Sequence, residues 1–310
     1  NLEEYNKIGE ASHWWLEKSL ISLSKDLNQK LNILEGNSLE IITNIIKEEE
    51  IKHVYWNRCY EPDRIAADTL LKEEIRKLNA FAKSFNSSLL WEPWKIKNKS
   101  GNFYKVFTPF FKKGCLEADQ PRTPFNKPKK LFFLKFYKKD KIYQFKFHNS
   151  KEKWYSKFEK IWDISETAAK NTFNNFLKNG ANDYSEGRNF PNKNSVSKIS
   201  AYLHWGQISP FRLWHEAKNK MFSAHKETFL SELGWREFSY HLLYHYPNIN
   251  KKNLKTQFDK LDWNANEQLL SKWKKGKTGF PIVDAGMREL WETGYMHNRL
   301  RMITSSFLVK

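Results

Sequence analysis

Between Ala11 and Trp91 the apolar residues switch repeatedly between helical and strand spacing, and this alternation restricts the fold more than any other feature of the chain. Ala11 to Lys30 carries Leu16, Leu20, Leu23 and Leu27 at helical spacing. Leu31 to Leu34 is expected as a short strand closed by Gly36. Asn37 or Ser38 can cap a helix running to about Glu50, with Leu39, Ile42 and Ile46 inward. Ile51 to Trp56 reads as a buried strand, Cys59 to Asp63 as a loop, Arg64 to Phe85 as a long helix, and Leu89 to Trp91 as a further strand. The α-β-α-β-α-β order predicts a parallel sheet with right-handed crossovers. It implies a Rossmann-like α/β domain over residues 1–95, with an earlier strand expected to be missing.

The pattern breaks over residues 96–160. Pro109, Pro121, Pro124 and Pro128 and a lysine-rich run show no sustained period, which predicts a long inter-domain connection with a local hairpin near Leu131 to Phe147. From Ser165 onward every signal is helical. Segments open at Ser165-Glu166-Thr167-Ala168 and recur near 198–204, 210–220, 226–246, 265–275, 280–293 and 297–310. The fold class expected is therefore α/β plus all-α, with a helical domain over 161–310. The last helix is still running at Lys310, so the chain is read as a piece of a longer protein.

The 310 residues carry 53 basic and 35 acidic side chains, a formal charge of +18. Twelve lysines against Asp140, Glu152 and Glu159 place half of that excess in residues 126–160. Such charge fits a polyanion partner. It also fits a biased codon pool, because 43 of the basic residues are Lys, only 10 are Arg, and Asn reaches 28. Aromatic residues at 16% exclude a disordered tail. No stretch approaches the ~18 apolar residues of a membrane span, and the polar start Asn1-Leu2-Glu3-Glu4 is no signal peptide. Cys59 and Cys115 make neither a disulfide framework nor a zinc cluster, which fits a reducing cytoplasm.

Three segments carry chemistry. On the helix 226–246, Glu232, Trp235, Arg236 and Ser239 fall at i, i+3, i+4 and i+7 and share one face. Spacing alone fits a solvated face with one half-buried Trp. It also fits a floor for a flat ligand, where the ring stacks, the carboxylate accepts ring N–H groups and the cation meets a phosphate. Asn298, Arg301, Met302 and Ser305 repeat the pattern on the last helix, although core packing is the default for Met302 taken alone. Ser195 to Ser200 places closely spaced hydroxyls and Lys198 at a helix start, either an ordinary cap or an anion site. Tyr184, 12 residues before Val196, could flank the same pocket. His241 and His245 share a face without a third metal ligand and are read as structural.

The runs Leu233-Gly234-Trp235-Arg236-Glu237-Phe238, Gly276 to Arg288 and Gly294 to Met302 resemble the photolyase/cryptochrome flavoproteins. Glu186 to Pro191, Trp205 to Pro210 and Asn57 to Pro62 extend the resemblance over nearly the whole chain. Within the family, Trp235, Glu232 and Met302 together are most similar to the class I cyclobutane pyrimidine dimer photolyases.

The resemblance implies an antenna domain joined to a helical FAD-binding domain, and light-driven repair of pyrimidine dimers by electron transfer from reduced FAD. It implies that Tyr184, Val196, Ser197, Lys198, Ile199, Ser200, Phe229, Arg236, Asn298 and Arg301 line the FAD site. Glu232, Trp235, Met302 and Asn298 would serve the reaction, and Trp263 would be the surface end of an electron relay. Arg188, Glu232, Trp235, Arg236, Arg299 and Met302 would contact UV-damaged DNA. Val196 and Phe229 stand where many relatives have Thr and Trp, a small loss of polar FAD contacts. A folate or deazaflavin antenna is implied without a choice between them, with no metal and no obligate protein partner, and a monomer is expected. The alternatives are a cryptochrome-like photosensor without repair and a DNA-binding remnant without cofactor. Residues 1–310 alone are expected not to hold FAD tightly.

Overall fold

The computed structural model describes residues 8–133, 153–262 and 266–309. The chain is rich in helix, with one small parallel sheet. Strands β1 (His53–Asn57) and β2 (Phe81–Phe85) pair in parallel, with His53 opposite Phe81 and Asn57 opposite Phe85. Before them come α1 (Glu10–Asp26) and α2 (Ser38–Glu48), and between them α3 (Pro62–Lys77). The start of α2 is fixed by Asn37, whose Oδ1 accepts the Leu39 N–H at 2.9 Å, and that of α3 by Pro62 in its first turn. Ile46, Leu71, Ile75, Ala80 and Ala82 form a small core under the sheet, with Val54 and Trp56 against it.

Three expectations are corrected here. The helix expected from Arg64 to Phe85 ends at Lys77. Asn79 takes φ +56, a left-handed turn that asparagine tolerates, and the chain re-emerges as β2. Leu31 to Leu34 takes no regular structure and makes no ladder with β1 or β2, so it is no strand among the described residues. Leu89 to Trp91 is also not a strand. Its apolar side chains are buried, but its N–H groups are satisfied by side chains, that of Leu89 by Asn86 Oδ1 and those of Leu90 and Trp91 by the Glu237 carboxylate. The hairpin expected near Leu131 to Phe147 falls, beyond Phe133, outside the described residues.

The helical part comprises α4 (Glu166–Asn179), α5 (Ser200–His204), α6 (Pro210–Lys220), α7 (Ser223–His245), α8 (Glu267–Lys274), α9 (Pro281–Thr293) and α10 (Asn298–Val309). Ser165 caps α4 through the Ala168 N–H at 3.0 Å, and Ser209 with Pro210 opens α6. Gly294 at φ +69 closes α9. The main core draws on more than these helices. Trp14 and Trp15 of α1 pack into it, Trp14 edge-on to Phe158 and Trp15 edge-on to Trp162 and Tyr202. Phe110, Phe111 and Cys115, within the stretch expected as a connection, are also buried there. They lie on a π-helical turn, Phe110–Cys115, whose period matches neither helix nor strand templates. Gly234 of α7 lets that turn approach, since a Cβ there would stand 2.4 Å from the Phe111 ring.

Candidate functional site

The 23 residues of α7 set one wall of a cleft of about 450 Å³. Phe229, Glu232, Leu233, Arg236 and Tyr240 line it, at the i, i+3, i+4, i+7 and i+11 positions of one face. The turn at Tyr184 to Arg188 and the loop Val196 to Ser200 form the second wall, and Tyr295, Met296, Asn298 and Arg301 the third. Every residue expected at the cofactor site therefore lines one cleft, including Val196 and Phe229, the two departures from the family pattern. The sequence reading missed Leu203, His204, Leu233, Tyr240, Tyr295 and Met296. Tyr240 was findable, as it continues the Glu232–Arg236 face by one further turn.

The loop walls are held tightly. Ser195 Oγ donates to Asp183 Oδ2 at 3.2 Å, and Lys193 pairs with the same oxygen at 3.1 Å. Gly187 sits so close that a Cβ would lie 2.3 Å from Ser195 Oγ. Lys198 takes φ +50, the left-handed region, and its ammonium stands 5.3 Å from the Tyr295 ring centre. Burial pushes the Tyr184 phenol well above the ordinary range, so it stays neutral.

The cations are distributed unevenly. Arg188 donates to Glu232 Oε1 at 2.6 Å, and its side chain is only 13% exposed. Arg236 donates to the Ser88 carbonyl at 2.6 Å and reaches Glu237 Oε1 at 3.2 Å, while still lining the cleft. Arg301 donates from Nε to the Met296 carbonyl at 2.8 Å. Cations and hydroxyls on the loop side, with aromatic rings on α7 and at Tyr295, form a donor set suited to a ligand that joins phosphates to flat rings.

Trp235 and Met302 do not line the cleft. Both are exposed, at 46% and 57%. Trp235 stacks on Phe107 with ring centres 3.6 Å apart and planes within 10°. Met302 Sδ accepts from Arg299 Nη1 at 3.4 Å, and Arg299 also donates to Asn189 Oδ1 from Nε at 3.0 Å and Nη2 at 2.5 Å. Glu232 and Met302 are thus tied together through the consecutive residues Arg188 and Asn189. Trp263 lies outside the described residues.

A second hollow of about 340 Å³ adjoins the first. Trp14, Trp15, Trp162 and Trp205 contribute to it, and Tyr295 and Arg301 line both. Among the described residues there is no cluster of side chains able to hold a metal, and no helix long and apolar enough to cross a membrane.

Residues 2–129 match a family model described as DNA photolyase, and residues 229–310 one described as the FAD binding domain of DNA photolyase. A deoxyribodipyrimidine photo-lyase of Agrobacterium fabrum is 40% identical over 98% of this chain and 64% of its own length. Cryptochrome-2 of Arabidopsis thaliana is 30% identical over 97% of this chain and 52% of its own. The crystal structure of a bacterial class III photolyase from Agrobacterium tumefaciens superposes with a TM-score of 0.92, at 38% identity, over 97% of this chain and 65% of that one. The chain thus spans less than two thirds of the first of these relatives and about half of the second. With both family models matched, and with relatives covering nearly all of its residues, the chain belongs to the DNA photolyase/cryptochrome family.

Proposed function

We propose that the protein to which this chain belongs is a DNA photolyase that repairs cyclobutane pyrimidine dimers with light, using FAD in the cleft between α7, the 184–200 loop and the start of α10. The observation that carries this reading is the joining of Glu232, at the cleft wall, to Met302, on the outer surface, through Arg188, Asn189 and Arg299. The cleft's cations and hydroxyls suit the diphosphate, and its rings suit the flat ends of the cofactor. Tyr184, Val196, Ser197, Lys198, Ile199, Ser200, Phe229, Arg236, Asn298 and Arg301 would hold FAD. Reduced flavin, when bound, supplies the electron that blue light sends to the lesion.

The chain's own residues have simpler tasks. A dimer must leave the base stack, and its weakened pairing lowers that cost. Trp235 offers an exposed ring on which a flipped base stacks, worth roughly 1–3 kcal/mol. Glu232 keeps Oε2 as an acceptor for a base N–H, because only Oε1 is engaged by Arg188. Arg299, on the exposed side, would meet a DNA phosphate. The lesion class rests on Trp235, Glu232 and Met302; the similar solved structure is named class III, whereas the sequence expectation was class I. In this reading residues 1–95 are the antenna domain, 96–160 the connection and 161–310 the FAD-binding domain. The protein acts as a monomer in the cytoplasm, on UV-damaged DNA. The hollow shared by Trp14, Trp15 and Trp162 has room for a second flat chromophore.

The test uses the full-length protein and an oligonucleotide carrying one thymine dimer. Under blue light the dimer is lost. Glu232→Ala lowers the repair yield more than the affinity, and Trp235→Ala chiefly weakens dark binding. Repair that is unaltered in both variants contradicts the mechanism. Flavin colour changes under light with no loss of dimers would move the protein to the photosensor class, to which the 30% identity with Cryptochrome-2 lends a second line.

A further inference from the structure

Phe107 belongs to a short helical turn, Phe107–Pro109, in the stretch that the sequence reads as a connection. Its ring lies flat against one face of Trp235, with centres 3.6 Å apart. The same ring is nearly parallel to Phe111 at 5.7 Å and edge-on to Phe238 at 5.9 Å. Phe111 and Phe238 are buried in the main core. Phe111 is itself pinned against α7 at Gly234, where a Cβ would meet its ring at 2.4 Å. The column Phe111–Phe107–Trp235 therefore runs from the core to the surface, and only its last ring is exposed.

An exposed indole ordinarily samples several rotamers, and ordering it when a ligand arrives costs affinity. Here one face of Trp235 is already covered and the ring plane is set before any base arrives. With centres 3.6 Å apart the two rings overlap almost fully, so the indole is held by dispersion contact over one whole face with a ring that is itself wedged against Phe111 and Phe238. The covered face also removes one of the two modes by which a base could stack.

We propose that Phe107 is a positioning residue for lesion recognition: it fixes Trp235 as a platform with a single free face, and so sets the preference for a flipped dimer over intact duplex. This rests on the photolyase reading above and adds to it a residue outside the cleft and outside α7.

The experiment measures dark binding of the full-length protein to a duplex with one thymine dimer and to the same duplex without it. Phe107→Leu removes the ring and keeps the apolar bulk; Phe107→Tyr keeps the ring. The expected result is a loss of roughly three- to tenfold in dimer-duplex affinity for Phe107→Leu, unchanged affinity for intact duplex, and recovery in Phe107→Tyr. In a Trp235→Ala background the Phe107→Leu effect disappears, as the cycle requires of two residues acting through one stack. Phe107→Met serves as the second ring-free variant if Phe107→Leu fails to fold. Unchanged dimer preference in a folded ring-free variant, or an equal loss in the Trp235→Ala background, overturns the proposal. A wild-type protein without dimer preference overturns the photolyase reading itself, and is recognised before any variant is compared.

Discussion

The carboxylate of Glu237, buried in the core, accepts the backbone N–H of Leu90 at 2.8 Å across 147 positions of sequence. The Trp91 N–H reaches the same oxygen at 3.3 Å, and Arg236 approaches the other at 3.2 Å. Burial outweighs these partners and pushes the carboxyl up to about 7 from the usual 4.5. Between those values the folded chain binds more protons than the unfolded one, so this group's stability contribution is full below pH ~4.5 and is lost as pH rises through about 7. Thermal unfolding of wild type and Glu237→Gln from pH 5 to 8 should show wild type losing ground to the variant as pH rises. The loss is of order 3 kcal/mol at most. A pH-independent difference would contradict the assignment.

His241 titrates in the opposite sense. It packs against the Phe110 and Phe238 rings, and burial, followed by the neighbouring His245, lowers it to about 4 from 6.5. A depressed histidine binds fewer protons folded than unfolded, so its contribution is present above pH 6.5 and lost as pH falls towards 4. Its slope therefore opposes that of Glu237 between pH 4.5 and 6.5. The expected outcome is a flatter wild-type stability profile in this window than in Glu237→Gln, where the slope of His241, joined by the burial-lowered His245 and His297, runs unopposed by Glu237. His241→Phe should shift the profile toward the falling slope of Glu237, since one of the opposing histidines is gone.

Gly234→Ala forces a methyl group into the Phe111 ring at 2.4 Å. Overpacking of this kind costs about 1–3 kcal/mol, read as a Tm lowered by several degrees. Adding Phe111→Leu should recover part of it, because the two changes share one contact. Simple additivity would show that the helix has moved instead.

Arg188 and Arg299 should separate in a salt titration of DNA binding. Arg299 is half-exposed, and a phosphate-contacting cation contributes about one unit to the slope of log affinity against log salt. Arg188 is turned inward onto Glu232. Arg299→Ala is thus expected to lower the slope by about one, and Arg188→Ala to leave it unchanged while reducing repair. Equal slope changes would place both on the DNA face.

Much of the site was legible because it sits on regular helices. Glu232 and Arg236 follow the 3.6-residue period of α7, and the hydroxyl-rich 195–200 stretch announces itself in composition, whereas Phe229 came only from the family resemblance. The start at Ser165 was equally plain, and the cap of α2 was narrowed to Asn37 or Ser38, of which the structure uses Asn37. What failed was local. Phe81 and Phe85 stand four apart, a helical spacing, and the single left-handed residue Asn79 decides for a strand instead. Leu89 to Trp91 looked like a strand because it is apolar, yet its hydrogen-bond acceptors are side chains, one of them on a distant helix. Phe107 to Cys115 showed no period because part of it is π-helical, and so the ring behind Trp235 was hidden in an apparent connection.

Tyr295 and Arg301 form a party wall between the two hollows. A tenant that turns the phenol on one side reshapes the room on the other. Ligands in the two hollows would therefore act on the same side chains, and any tightening one of them gains from the other is returned in equal measure.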